Sequence, residues 1–542
     1  MSLGSVSELS EAQLDALIER VQQAVEHQLS LSVEDMQLLL KALFTLAHLQ
    51  ERLAETDITL HKLRKLAGIV KSSEKLKDIA PSETSPSGQA RSGRRKPSGK
   101  KKTAPPKEPI IHERCQHELE GFVKGQPCPL CQRGKLYKYD PASFLRIRGQ
   151  SPLVSTQHLL ERLRCNACLA YFTAELPEAV RQDGDPEQTY GYSARAVMAI
   201  HKYFGGLPFY RQQTLSQLFG ISISASTVFD QCEHVANAVQ PVMQYLIGRA
   251  ADAVHYHLDD TSNRILSQRT VIKPDRKTGQ PKERSGQYTS GVIATLADGH
   301  RCVLFQTNIG HAGEWLDELL SRRSAQAPPP MIMCDALSRN FPTLPTYYLT
   351  LCNAHARREF VEVIEQHPDV VPWVLERYGL IWHHDSYCQE HSFSAQQRLD
   401  YHRQHSLPIM EQLRDWGQAQ LDREDNEAHN GLSQAIRYFL KHYDALSAFC
   451  RWPDAQIDNN EMERTLKLII RGRKNALFFK TLAGAAIADV LTSLIATCEN
   501  IGINTFDYLV VLQRHSETVK QRPSQWLPWN YLATLEAWDK AA

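Results

Sequence analysis

The sequence predicts a multidomain α+β protein in which helical and metal-binding modules precede an α/β core interrupted by helices. Three observations lead there. The hydrophobic period changes from helical to strand-like near residue 252, two CxxC pairs lie upstream of that change, and carboxylates stand at the ends of two strand-like runs. A chain of 542 residues has room for about three or four domains at roughly 100–200 residues each. Its 42% hydrophobic and 23% charged residues are those of a globular protein, and a net charge of +1 does not by itself announce a nucleic-acid binder. No run approaches the roughly 18 apolar residues of a membrane span. The opening "MSLGSVSELSEAQ" has no basic stretch followed by an apolar one, so a cytoplasmic protein without a membrane partner is expected. There the 12 cysteines stay reduced, and clustered ones are read as metal ligands before disulfides.

Residues 1–69 read as a helical or coiled-coil segment. A first helix over 10–28 opens on a capping box, Ser10 with Gln13. A second, from Val33 to Leu66, carries the stripe Leu39, Leu43, Leu46, Leu53, Leu60 and Leu63, which suits self-association or a helical hairpin. Residues 70–111 are rich in Ser, Pro, Gly, Lys and Arg and have almost nothing to bury, so a disordered basic linker is expected. Its cluster Arg94, Arg95, Lys96, Lys100, Lys101 and Lys102 can neutralise phosphates without sequence preference, or simply be solvated.

Residues 112–180 read as a zinc-ribbon-like module. "CPLC" places Cys128 and Cys131 on one knuckle and "CNAC" places Cys165 and Cys168 on another. Four thiolates from two such knuckles close a tetrahedral Zn²⁺ site, with Cys115 and His117 as alternative ligands. Residues 181–250 are helical. "LSQLFGISISASTVFDQC" has helix-turn-helix spacing, but an ordinary helical pair under the core is the favoured reading because the second helix lacks basic residues.

From 251 to 362 the pattern is that of the first part of an α/β core. "AVHYHLDD" is a strand, "SQRTVIKPDRKTGQPKERSG" a polar loop, and "QYTSGVIATLADGHRCVLFQT" a hairpin turning at Asp298-Gly299. "AGEWLDELLSRR" is an amphipathic helix, "PPPMIMCD" a buried strand, and "YYLTLCNAHARREF" a strand entering a helix. This order is ribonuclease H-like. Residues 363–452 read as a helical insertion, 453–512 as the last part of the core with its own helix, and 513–542 as a C-terminal tail.

In that topology the first and fourth strands are neighbours, so Asp259 and Asp335 stand side by side, where their charges repel unless a cation intervenes. Hard oxygen ligands with open positions suit Mg²⁺ or Mn²⁺. A third carboxylate is expected from the helix in "IDNNEMERTLKLIIRGRKNALFF". Glu463 lies in its first turn with Lys467 on the same face, followed by Arg471, Arg473 and Lys474. Spacing leaves Asp454, Asp458 and Glu461 as competitors, and Asn460-x-x-Glu463 also fits a capping box.

"HLDDT", "CNAHARREF" and "IDNNEMERTLKLIIRGRKNALF", in this order and with "LPWN" near the C-terminus, resemble the insertion-sequence-66 family of bacterial DDE transposases. The resemblance implies Asp259, Asp335 and Glu463 as the metal-binding catalytic set, although the family more often has Glu where this chain has Asp260. It implies a transposase that cuts element ends and joins 3′-hydroxyls to target DNA by two-metal phosphoryl transfer. It also implies double-stranded DNA as partner, a nucleoid-associated location, self-association and small accessory proteins of the same element. His355, Arg357 and Arg358 are candidates for holding the scissile phosphate, or a solvated helix start. The rival readings are a nuclease without strand transfer and a zinc-dependent DNA-binding regulator derived from a transposon.

The four-cysteine assignment is testable by metal analysis. Protein purified without chelator should carry about one Zn²⁺ on the CxxC pairs, and Cys165→Ser should lose it. Full occupancy in that variant would reject the assignment.

Overall fold

The computed structural model describes residues 17, 20–21, 31–36, 38, 124–127, 129–130, 132–133, 135–136, 151–164, 171–184, 188–274, 279–343, 346–423 and 430–540. They belong to two compact units, one formed by Met1–Pro81 with Leu153–Ala542 and the other by Ser82–Pro152. The helix expected from Val33 begins there. The Ser32 hydroxyl accepts the Asp35 N–H at 3.1 Å, and Asp35 in turn pairs with Arg20 at 2.9 Å. The leucine stripe and the basic linker with Arg94, Arg95, Lys100, Lys101 and Lys102 lie outside the described residues. So do Cys128, Cys131, Cys165 and Cys168, with Cys115 and His117. What is described flanks them. Around the first knuckle the Gly125 N–H donates to the Leu136 carbonyl and the Leu136 N–H to the Gln126 carbonyl, and strands β1 (Arg162–Arg164) and β2 (Tyr171–Thr173) pair antiparallel around the second.

Helices α1 (Tyr192–Tyr203), α2 (Phe209–Leu218) and α3 (Ala225–Ala251) follow. The helix-turn-helix spacing is realised locally. Gly220 turns the chain at φ 82, and Ser224 caps α3 by accepting the Thr227 N–H. Yet α3 is 27 residues long and buries Val228, Cys232, Val235, Val239, Val242 and Leu246 in the main core. It is a core helix along most of its length.

The central sheet contains β3 (His255–Asn263), β6 (Gln287–Thr295), β7 (Arg301–Ile309), β8 (Met331–Cys334) and β9 (Tyr348–Leu351), in the order β7-β6-β3-β8-β9. β3, β6 and β7 are antiparallel neighbours, whereas β8 and β9 continue parallel to β3. The expected β6–β7 hairpin turns at Gly299, φ 84. The stretch read as a polar loop is corrected: β4 (Val271–Pro274) and β5 (Pro281–Arg284) form a second hairpin. The β-branched pair Val271-Ile272 and a left-handed Gly279 favour it, and the surrounding Lys and Arg residues disguised it.

Side chains alternate across this sheet. Tyr256, Leu258, Val292, Ala294, Cys302 and Leu304 enter the large core with α3 and α4 (Ala312–Leu320). Ile293, Val303 and Phe305 enter a smaller cluster on the other face. After β9 come α5 (Asn353–Val361) and the helices of the insertion, α6 (Val371–Glu390), α7 (Ala395–His405), α8 (Leu407–Leu421) and α9 (Gly431–Lys441). The chain then returns to the sheet with α10 (Asn460–Ala476) and α11 (Leu482–Asn500). Met462 and Leu466 of α10 close the smaller cluster together with Ala496 of α11.

β7 is a sheet edge, and its outward N–H groups need partners once covered. α11 supplies them from one stripe at i, i+4 and i+8. Val303 donates to Thr497 Oγ1 at 3.0 Å, Phe305 to Ser493 Oγ at 2.8 Å, and Thr307 to Asp489 Oδ2 at 2.7 Å. Burial pushes the Asp489 carboxyl up to about 7, while its bonds to Thr307 pull the other way. The expectation that no segment matches a membrane span also needs correction. Among the described residues, Leu482–Asn500 is long and apolar enough, but most of it is buried and its polar stripe is spent on β7.

Ser493→Ala should leave the Phe305 N–H buried and unpaired. Chemical denaturation should report a loss of about 1–3 kcal/mol, whereas Thr214→Ala, at an exposed position of α2, should change little.

Candidate active site

Asp259 and Asp260 are consecutive on β3 and so face opposite sides of the sheet. Asp260 lies on the side of α4. Its Oδ2 meets His311 Nδ1 at 2.9 Å and the Ala312 N–H at 3.4 Å, at the positive end of that helix, and Arg339 approaches Oδ1 at 4.0 Å. Asp259 lies on the face covered by α10. It is paired across the sheet with Gly291, where an added Cβ would stand 2.4 Å from Met462 Cε. The glycine thereby lets α10 come down over β3.

The parallel pairing of His255, Tyr256 and His257 with Met331, Ile332 and Met333, carried two residues on, sets Asp259 beside Asp335. Asp335 follows β8 and is restrained through Oδ1, which accepts the Leu337 N–H at 3.2 Å and Asn340 Nδ2 at 2.6 Å. The Asp259 carboxyl is pushed up to about 7, first by burial and then by the charge of Asp335, with smaller contributions from Asp260 and Glu463. Asp335 and Glu463 thus both act on Asp259, as does Asp260 from the opposite face of the sheet.

Glu463 comes within range of Asp259 because of how α10 begins. The buried Asn459 meets His257 Nδ1 at 3.1 Å, donates from Nδ2 to the Leu258 carbonyl at 3.0 Å, and donates its N–H to Cys352 Sγ at 3.1 Å. These bonds pin the helix start to β3 one residue before Asp259. The capping-box alternative is corrected: the N-cap is Asn459, no side chain caps the helix, and Asn460 is already its first residue. The competing carboxylates have other partners or places. Asp458 accepts Trp382 Nε1 at 2.8 Å, Glu461 binds Arg301 at 2.7 Å and Asn500 at 3.0 Å, and Asp454 is exposed in a left-handed turn. Burial would push Glu461 up, but Arg301 and Asn500 hold it below the usual range.

Of the basic residues expected here, His355 and Arg358 of α5 face Glu463, at 3.6 and 3.7 Å. Burial holds the His355 imidazole below its usual range despite the Glu463 charge, so it is neutral at neutral pH. Arg357 is part-buried on the same helix. Lys467 and Lys474 are exposed on α10. Arg471 and Arg473 are spent within the protein: Arg471 donates to the Phe204 carbonyl, and Arg473 to Thr261 Oγ1 at 2.9 Å and to the Ser262 carbonyl. Sequence reasoning missed Asn459, His311, Asn340 and Gly291. Only Asn459 left a signal, in "DNNE", and that signal reads as a cap.

The donor set fits a hard divalent cation. It offers carboxylate oxygens, the Asp259 carboxyl being raised first by burial and then by the charge of Asp335, and its nearest histidine is neutral. The three carboxylates do not yet meet at one point. Among the described residues, the set of three whose ligand atoms all lie within 4.8 Å of one another is Cys352, His355 and Glu463.

A family model described as "Transposase IS66 family" matches residues 187–487, a span holding all three carboxylates but not the CxxC pairs. Among curated proteins of Sinorhizobium fredii (strain NBRC 101917 / NGR234), uncharacterized protein y4jD is 33% identical over 193 residues, 34% of this chain and 36% of that protein. Uncharacterized protein y4hP is 24% identical over 396 residues, 68% of this chain and 67% of the relative. The alignment with y4jD thus spans only about a third of that relative's length.

Asp259 yields a pH prediction. An acid raised from 3.8 to about 7 holds its proton better folded than unfolded, so the folded state loses stability as pH rises through that window. In metal-free protein, Asp259→Asn should therefore be more stable than wild type at pH 8.5, by about 1–3 kcal/mol after allowing for partial solvent screening. The gain should shrink towards pH 5 in thermal melts. A gain independent of pH would contradict the assignment of the charge to Asp259.

Proposed function

We propose that this chain, which belongs to the IS66 family of transposases, cuts the ends of an insertion sequence and joins the freed 3′-hydroxyls to target DNA. Asp259, Asp335 and Glu463 are its catalytic carboxylates. The observation that carries the reading is the charge of Asp335 and Glu463 acting on Asp259, the three groups being supplied by β3, the end of β8 and the first turn of α10. The strand order β7-β6-β3-β8-β9, with its first and fourth strands adjacent, supports a ribonuclease H-like core.

Mg²⁺ or Mn²⁺ held by these oxygens supplies Lewis-acid stabilisation of the charge that develops on the phosphoryl group and lowers the pKa of the attacking hydroxyl. The chain's own residues do the positioning. Adjacent parallel strands fix Asp259 and Asp335, Asn340 restrains the second of them, and Asn459 sets the reach of Glu463. Neutral His355 can donate a hydrogen bond to a phosphate oxygen, and Arg358 adds a positive charge beside it. Water and then a DNA 3′-hydroxyl serve as nucleophiles at one site, since only the attacking group changes.

Lys467 and Lys474 meet DNA phosphates, whereas Arg471 and Arg473 act by fastening α10. The basic linker over 70–111 adds contacts without sequence preference, a zinc ribbon over 112–180 is held by one structural ion, and the helices of 1–69 pair protomers. Small accessory proteins of the same element complete the complex.

Asp259→Asn, Asp335→Asn and Glu463→Gln should each lower Mg²⁺-dependent nicking on the order of a hundredfold or more. Each should keep its affinity for element ends, which comes from Lys and Arg contacts to phosphate. Asp260→Asn and Glu461→Gln should behave differently, melting at lower temperature but nicking below that transition, because their carboxylates hold α4 and β7. A pre-cut element end should yield joined products; nicks without joining would leave a nuclease.

A further inference from the structure

Beside the carboxylates, the junction of β9 and α5 gathers ligands of another kind. Cys352 caps the start of α5 and His355 lies in its first turn, a C-x-x-H spacing that turns both side chains towards α10. With Glu463 they form the compact set whose candidate ligand atoms all lie within 4.8 Å of one another. His355 Nδ1 and Glu463 Oε1, 3.6 Å apart, are both buried with no hydrogen-bond partner. A buried polar atom left unpaired costs about 1–3 kcal/mol, so two of them aimed at one point favour an occupant between them. Cys352 Sγ already accepts the Asn459 N–H at 3.1 Å, and since burial pushes the thiol up to about 12, it is the ion that displaces its proton.

We propose that Cys352, His355 and Glu463 form a soft-metal site that takes Zn²⁺ and competes with the hard-cation site for Glu463. Bond lengths of about 2.3 Å to sulfur and about 2.0–2.2 Å to nitrogen and oxygen set the ligands of a tetrahedral ion about 3.4–3.6 Å apart. The His355–Glu463 pair stands at that spacing, and a small turn of the Cys352 side chain completes three corners. A thiolate and an imidazole select Zn²⁺ over Mg²⁺ by ligand softness. The thiol proton is released as the Zn–S bond forms. Glu463 cannot serve both ions in full, so zinc occupancy withdraws a ligand from the catalytic set. That inhibition rests on the proposed function; zinc binding does not.

Full-length protein is loaded with Zn²⁺, dialysed against excess Mg²⁺ and analysed for zinc by atomic emission. Wild type should retain one ion more than Cys352→Ser, whatever the CxxC pairs contribute to both. Serine keeps an acceptor for the Asn459 N–H, and if circular dichroism finds that variant unfolded, His355→Gln serves for the same count. Zn²⁺ should also suppress Mg²⁺-dependent nicking by wild type, and Cys352→Ser should need at least about tenfold more for the same suppression. Equal zinc content in the folded proteins overturns the site. A difference of one zinc with equal sensitivity of nicking overturns the competition for Glu463. A difference of one zinc in a protein that never nicks DNA upholds the site and defeats the transposase chemistry instead.

Discussion

Successive residues of a strand point to opposite faces of its sheet, and on β3 that rule separates two adjacent aspartates. Asp260 is drawn to the N-terminus of α4, where His311 and a backbone N–H receive it. Asp259 is left on the face that α10 crosses, beside Asp335. A slip of one residue in the β3–β6 register would exchange these roles and also turn Tyr256 and Leu258 out of the large core. The hydrophobic core therefore holds the site in register. Its energy of burial is far larger than the electrostatic cost of bringing the carboxylates together.

Two further devices let a helix rest on that face. Gly291 opens the space that Met462 fills, and Asn459 ties the start of α10 to both β3 and Cys352. At the sheet's edge, Asp489, Ser493 and Thr497 take up the N–H groups that β7 would otherwise offer to another chain. α11 is thus apolar towards the core and polar along one line. Its position behind α10 fixes Glu461 through Asn500 and so steadies the turn that carries Glu463.

Much of this was legible in the sequence because it is local. The β6–β7 hairpin, the buried β8 run ending before Asp335, and the strand-to-helix passage at Cys352 each follow from period and turn chemistry. What was not legible joins distant residues. Asn459 and His257 are 202 residues apart, on either side of the helical insertion, and no local pattern in "DNNE" distinguishes a sheet contact from a helix cap. The basic run of α10 looked uniformly available for DNA, yet Arg471 and Arg473 are taken by carbonyls of α1 and β3 neighbours. The β4–β5 hairpin was hidden for a different reason, since its charged residues outvoted two β-branched ones.

The claim that a divalent cation sits among Asp259, Asp335 and Glu463 can be tested by letting the cation mark its own neighbours. With Fe²⁺ in place of Mg²⁺ and ascorbate with peroxide added, hydroxyl radicals formed at the ion cut the nearby backbone. The cut sites can then be read by mass spectrometry. Three clusters of cuts are expected together, at the end of β3, just after β8 and in the first turn of α10, and all three should fade with added Mg²⁺. Cuts confined to the neighbourhood of His311 and Arg339, on the Asp260 side of the sheet, would contradict the account.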